Sequence, residues 1–84
     1  MIIAWNSRAW DDYLYWQKND RKILHRINTL IQDISRSPSD GIGKPENLKN
    51  DLAGYRSRRI TVEHRLVYKI LEDRILIIQC RFHY

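Results

Sequence analysis

Two hydrophobic rhythms divide the chain near Tyr55. Before it, apolar positions recur at helical spacing; after it, they alternate with polar ones. The run Met1-Ile2-Ile3-Ala4-Trp5 predicts a short first strand, and Asn6 and Ser7 can cap a helix behind it. Trp10, Tyr13 and Leu14 then fall at helical spacing. Such a stripe supplies either buried area for a small core or a stacking platform for bases. Asn19 and Asp20 interrupt and recap the chain. Ile23, Leu24, Ile27, Leu30, Ile31 and Ile34 mark one face of a second, longer helix, with His25 off the stripe and exposed. Pro38 lies beyond its end. The stretch SPSDGIGKPENLKNDLAG predicts a loop with at most a short helical turn, for which Pro45 suits the first position.

Beyond Tyr55, YRSRRIT, HRLVYKI and RILIIQCRFH predict three strands, the last two joined by a tight turn at LEDR. One strand, two helices, a loop and a meander give an α+β fold, with the helices on one face of a mostly antiparallel sheet. A single domain is expected over residues 1–84, without repeats. In the last strand Leu76, Ile78, Cys80 and Phe82 are apolar and should face the helices, leaving Gln79, Arg81 and His83 opposite. Leu66, Tyr68 and Ile70 divide from Arg65 and Lys69 in the same way. Matching the two apolar faces favours a three-residue connection, Glu72-Asp73-Arg74, over a two-residue turn. That register sets Arg65 opposite Arg81 and Glu63 opposite His83. Like charges facing each other repel, so the arginine pair would suit a bound anion.

Charge sharpens this picture. The net charge of +5 is unevenly placed: residues 1–42 hold six Lys/Arg against five Asp/Glu, and residues 43–84 hold nine against five. The basic excess therefore lies in the second half, as a nucleic-acid-binding face or as a solvated surface. A chain of 84 residues buries a limited core, so a partner or a dimer is expected. The single cysteine excludes an internal disulfide, fits a reducing compartment and argues against a cysteine zinc site. No apolar run approaches the ~20 residues of a membrane span, and MIIAWNSRAW lacks the pattern of a secretory signal. A cytoplasmic protein without metal, cofactor or membrane association is expected.

The polar residues on the basic face suggest a chemistry. Cleaving RNA without a metal requires a base for the ribose 2′-hydroxyl, an acid for the leaving 5′-oxygen and fixed positive charge for the transition state. Glu46, His83 and Arg65 are of the right types. Attack by the 2′-hydroxyl restricts the substrate to RNA. Residue by residue, other readings stay open. Glu46 and Lys49 also fit a local surface ion pair. His83, with Glu63 favouring its charged form and nearby cations opposing it, is a surface histidine or a functional acid. Cys80 reads as a small buried hydrophobe, and His64, without partners at metal-ligand spacing, as structural or exposed. A non-catalytic RNA- or ribosome-binding module would use the same basic face, and so would a ribonuclease that needs no ribosome. A pure binder gains nothing from a carboxylate beside phosphate, which favours an enzyme.

The segments WDDYLYW, GKPENLK, SRRITVEHRLVY and CRFHY resemble the YoeB branch of the RelE-like toxins. The resemblance extends over essentially the whole chain. It implies a microbial-ribonuclease-like fold and the toxin half of a bacterial toxin–antitoxin pair, an endonuclease cutting mRNA in the ribosomal A site. It also implies a YefM-like antitoxin, homodimers, and contact with promoter DNA only through the antitoxin complex. By the same resemblance Glu46 matches the general base, His83 the general acid and Arg65 the residue that stabilises the scissile phosphate. Lys49, Arg59 and Glu63 match supporting positions, and Tyr84 the aromatic that positions the substrate. Arg81, on the same predicted face, joins the expected substrate-binding set. Val62 stands where an acidic residue is common, and Tyr55-Arg56 where an aromatic pair is usual.

Overall fold

A computed structural model describes residues 1–84. Strand β1 (Ile2–Trp5) leads into helix α1 (Ser7–Asn19), whose first turn is capped by Asn6 Oδ1 accepting from the Ala9 N–H at 2.8 Å. Asp20 ends α1 and starts α2 (Arg21–Arg36), its carboxylate accepting from the N–H groups of Lys22 and Ile23. The expected stripe on α2 is the buried one, with Ile27, Leu30 and Ile34 fully enclosed. On α1 the inward face is instead Ala9, Asp12 and Trp16; Trp10 and Leu14 are exposed. Trp10 stacks with Tyr13, and both rings meet Trp5 to form an aromatic cluster at the edge of the core.

Five strands form one sheet in the order β1-β5-β4-β3-β2, parallel only between β1 and β5. The strands after α2 are β2 (Glu46–Asn47), β3 (Arg56–Arg59), β4 (Arg65–Ile70) and β5 (Arg74–Gln79). Both helices lie on one face, around a core of Leu66, Tyr68, Ile75, Ile77 and Cys80 with Trp16 and the α2 isoleucines. The expected α+β layout is thus realised, with an additional edge strand.

The β4–β5 hairpin departs from the expected register. Ile70 pairs with Ile75 and Tyr68 with Ile77, and the Leu71 N–H bonds to the Arg74 carbonyl, so the connection is the two-residue turn Glu72-Asp73. Ile75 and Ile77, not Leu76 and Ile78, face the helices. Because all four are apolar, either face of this segment can be buried, and alternation cannot choose. A β-bulge then inserts Ile78, so that Val67 pairs with Gln79. The extra residue reverses the parity and turns Cys80 inward. Past the bulge the expected pairing frame is recovered, but the strand stops at Gln79.

Arg58 ties the α2–β2 connection to the sheet. Its fully buried guanidinium pairs with Asp33 at 2.7 Å and donates to the carbonyls of Ser37, Asp40 and Ile42. Gly41 and Gly43 in this loop have positive φ, and a Cβ on Gly41 would strike the Asp33 carboxylate.

Candidate functional site

Cross-strand pairing sets one row of residues across the face opposite the helices. Glu46 on β2 pairs with Ser57 on β3, Ser57 with Val67 on β4, and Val67 with Gln79 on β5. Two residues further along β3, Arg59 pairs with Arg65 on the same face. The opposed arginines are therefore Arg59 and Arg65, not Arg65 and Arg81. Glu46 stands on an extended edge segment. Pro45, which has no N–H to donate, precedes the two-residue strand and starts no helical turn. The only short helix there is a 3₁₀ turn at Asn50–Leu52, for which Lys49 is the N-terminal flank.

Residues 80–84 fold back over this row. Helix α1 grips Cys80 on both sides: Asp12 Oδ2 accepts its N–H at 3.1 Å, and Trp16 Nε1 donates to its carbonyl at 2.8 Å. The chain then reverses at Phe82, whose φ of 68° lies in the left-handed region. Phe82 is 52% exposed and is not the core anchor that alternation predicts. Its N–H donates to His64 Nδ1 at 2.7 Å and its carbonyl accepts from the Arg65 N–H at 3.0 Å. From β5, the buried Gln79 amide nitrogen donates to the carbonyls of Arg81, Phe82 and His83 at 3.0–3.3 Å. Thus held, the tail crosses β4 and carries the Tyr84 phenol to Glu46 Oε1 at 2.9 Å, with Ser57 Oγ at 3.4 Å.

The functional candidates separate by position. Tyr84 touches both Glu46 and His83, the His83 and Tyr84 rings lying 4.6 Å apart. Glu46, Lys49 and Tyr84 line one cleft of about 350 Å³ with Asn47, Leu48, Asn50 and Leu52. Arg65 is 8% exposed, and its Nη1 donates to the carbonyls of Thr61, Val62 and His64. These bonds fix the guanidinium plane and leave Nε and Nη2 without protein acceptors. Arg59 is exposed beside it. Glu63 lies in the β3–β4 turn, its N–H bonded to Thr61 Oγ1, and forms no ion pair with His83. Arg81 points away from this face, its guanidinium 3.5 Å from the Tyr15 ring centroid on α1.

The electrostatics fit this division. Burial pushes the Asp12 carboxyl above the usual carboxylate range, opposed by the Cys80 N–H and by Arg8. Burial also pushes the Cys80 thiol well up, so it stays protonated and behaves as the expected small hydrophobe. Neither belongs to the exposed face. Sequence reasoning passed over Ser57 and the clamp formed by Gln79, and gave His64 only a structural or exposed role. The one available signal was Gln79, a lone amide in an apolar strand.

The arrangement sets the Glu46 carboxylate and the Tyr84 phenol at an open cleft, with the His83 imidazole against Tyr84 and the Arg59–Arg65 pair further along the same sheet face of a small α+β scaffold. The same scaffold occurs in a YoeB/ParE toxin from Agrobacterium tumefaciens, with a TM-score of 0.98, 51% identity and full coverage of both chains. It recurs at the level of fold alone in the H87Q mutant of YafQ from E. coli, at 16% identity and a TM-score of 0.81 over 96% of this chain and 91% of that one. The fold and the family match define a RelE-like toxin of a type II toxin–antitoxin system. Residues 5–84 match the family model described as the YoeB-like toxin of bacterial type II toxin-antitoxin systems. A toxin YoeB from Synechocystis is 61% identical over all of this chain and 98% of its own length, and one from Escherichia coli K12 is 55% identical over the whole of both. The chain belongs to the YoeB-like toxin family.

Proposed function

We propose that this toxin is a ribosome-dependent mRNA endonuclease that cuts in the A site by general acid–base catalysis, acting as one domain over residues 1–84. Glu46, with Lys49 lining the same cleft, takes the 2′-hydroxyl proton, His83 protonates the leaving 5′-oxygen, and Arg65, with Arg59 opposite it, stabilises the phosphorane-like transition state. The observation that carries this reading is the Tyr84–Glu46 hydrogen bond. It brings the segment bearing His83 to the only carboxylate of the row, on the face that presents Arg59 and Arg65. Glu46 Oε2 has no protein donor and is open to a substrate hydroxyl.

Partners follow from relatives. A Staphylococcus aureus YoeB dimer and a heterotetrameric YoeB–YefM complex have been solved, at 47% identity to this chain with TM-scores of 0.94 and 0.93. We extend to this protein a YefM-like antitoxin, a homodimeric state, a cytoplasmic location and contact with promoter DNA only through the antitoxin complex. No helix is long and apolar enough to cross a membrane. The test is cleavage of mRNA on translating ribosomes in excess chelator, with the new 3′ ends identified. A 2′,3′-cyclic phosphate is expected. Loss of cutting under chelation, or a 3′-hydroxyl, overturns the mechanism; equal cutting without ribosomes overturns the ribosome dependence.

A further inference from the structure

His64 lies outside the row of site residues, immediately before β4, against Trp16 of α1. We propose that it is a positioning residue for the tail that carries His83 and Tyr84, an assignment that rests on the reading of that tail as catalytic. The ring is half-buried, edge-on to Trp16 at 4.8 Å between centroids. Its Nδ1 accepts the Phe82 N–H at 2.7 Å, so that nitrogen carries a lone pair and the ring proton sits on Nε2.

Phe82 needs such a tether. A non-glycine residue at φ 68° is strained by its Cβ and persists only where its surroundings over-determine it. This one conformation turns the chain out of line with β5 and across the sheet toward Glu46. Consecutive residues hold both polar groups of its backbone: the His64 ring takes the N–H, and the Arg65 N–H meets the carbonyl. The Arg65 guanidinium in turn donates to the His64 carbonyl, one of its three acceptors. The dipeptide His64-Arg65 therefore couples the candidate phosphate-binding guanidinium to the backbone that presents the candidate acid. Trp16 completes the arrangement, packing on the His64 ring while its indole N–H holds Cys80, two residues earlier.

Packing alone predicts that any flat apolar ring serves at this position; tethering requires an acceptor at Nδ1. Two substitutions separate them. His64→Phe keeps a ring against Trp16 and has no acceptor. His64→Asn gives up the ring but places Oδ1 close to the position of Nδ1. The expected result on translating ribosomes is that H64F lowers kcat by roughly 10- to 100-fold with a smaller change in KM, the scale of a misplaced catalytic group. H64N is expected to retain kcat within about threefold. Hydrogen exchange of the Phe82 amide should be protected in the wild type and in H64N and fast in H64F. H64F cutting like the wild type with a protected Phe82 amide overturns the proposal, as does H64N failing where H64F succeeds. Nitrogen-15 shifts of the wild-type ring give a test free of any variant: a proton on Nδ1 also overturns it. If the wild type does not cut RNA at all, the catalytic reading of the tail fails, and Phe82 exchange still decides whether His64 tethers it.

Discussion

The Tyr84 phenol donates to Glu46 Oε1 across 2.9 Å, joining residues 38 positions apart at the mouth of one cleft. The bond is exposed, so it contributes roughly 0.5–1.5 kcal/mol at most. The ring can do separate work, as a surface for a base. Tyr84→Phe should therefore lower the melting temperature by at most about 12 °C, at about 4–8 °C per kcal/mol for a domain of this size. It should retain most of the cleavage that Tyr84→Ala loses. Equal loss of cleavage in both variants would move the role from the ring to the hydroxyl.

Glu46 is exposed and takes no part in the core, so its removal tests chemistry with little risk to the fold. Glu46→Ala should reduce cleavage by roughly 10²–10⁴-fold, the usual worth of a general base. Ribosome binding should change little, because the basic residues remain. Parallel loss of both activities would favour a binding module over an enzyme. Single-turnover cleavage beside ribosome co-sedimentation makes the comparison.

Two aspartates should give the stability opposite dependences on pH. The Arg58 hydrogen bond, followed by the Ile42 N–H, holds the Asp33 carboxyl below the usual range. The folded protein then binds that proton less readily than the unfolded chain. Its stabilisation is present above about pH 4 and is lost as the pH falls further through the folded value. Asp12 has the reverse sign. Burial raises it, so the folded protein binds the proton more readily, and the ionised form lowers stability at neutral pH. That cost disappears on acidification. Asp33→Asn should accordingly destabilise at pH 7, with the difference narrowing below about pH 4. Asp12→Asn, which keeps an acceptor for the Cys80 N–H, should match or exceed the wild type at pH 7 and lose that advantage on acidification. Urea denaturation across pH measures both, and a D33N protein as stable as the wild type at pH 7 would contradict the Asp33 assignment.

Legibility in the chain followed the physics of each element. The α2 stripe was readable because six apolar residues at one period leave a single face to bury. The Asn6 and Asp20 caps were readable because each needs only local geometry. Strand β5 was not, since Ile75 through Ile78 are apolar on both faces and the bulge at Ile78 reverses the parity in mid-strand. On α1 the inward Asp12 disguised the buried face, its carboxylate being held by a backbone N–H 68 residues away. The candidate residues Glu46, Arg65 and His83 could be picked out by type and by family resemblance. The way they are brought together could not, because it depends on a left-handed residue at Phe82 and on side chains that hold backbone atoms.

Gln79 is the clearest of those side chains. Its amide nitrogen faces three carbonyls of the tail and is buried beneath it. Gln79→Glu preserves size and shape but replaces the donor with an acceptor, setting a carboxylate against three carbonyl dipoles at low exposure. The tail should detach while the helices and the other strands, whose core lies on the opposite face, remain folded. Cleavage should fall by at least about tenfold, as expected for a catalytic group no longer held in place. Far-ultraviolet circular dichroism should be nearly unchanged, while limited carboxypeptidase digestion should remove Tyr84 and His83 faster than from the wild type. Gln79→Leu should behave in the same direction and more mildly, since it leaves the carbonyls unpaired without adding charge. A Q79E protein with a protected tail and full cleavage would show that Cys80, His64 and Arg65 hold these residues without the amide.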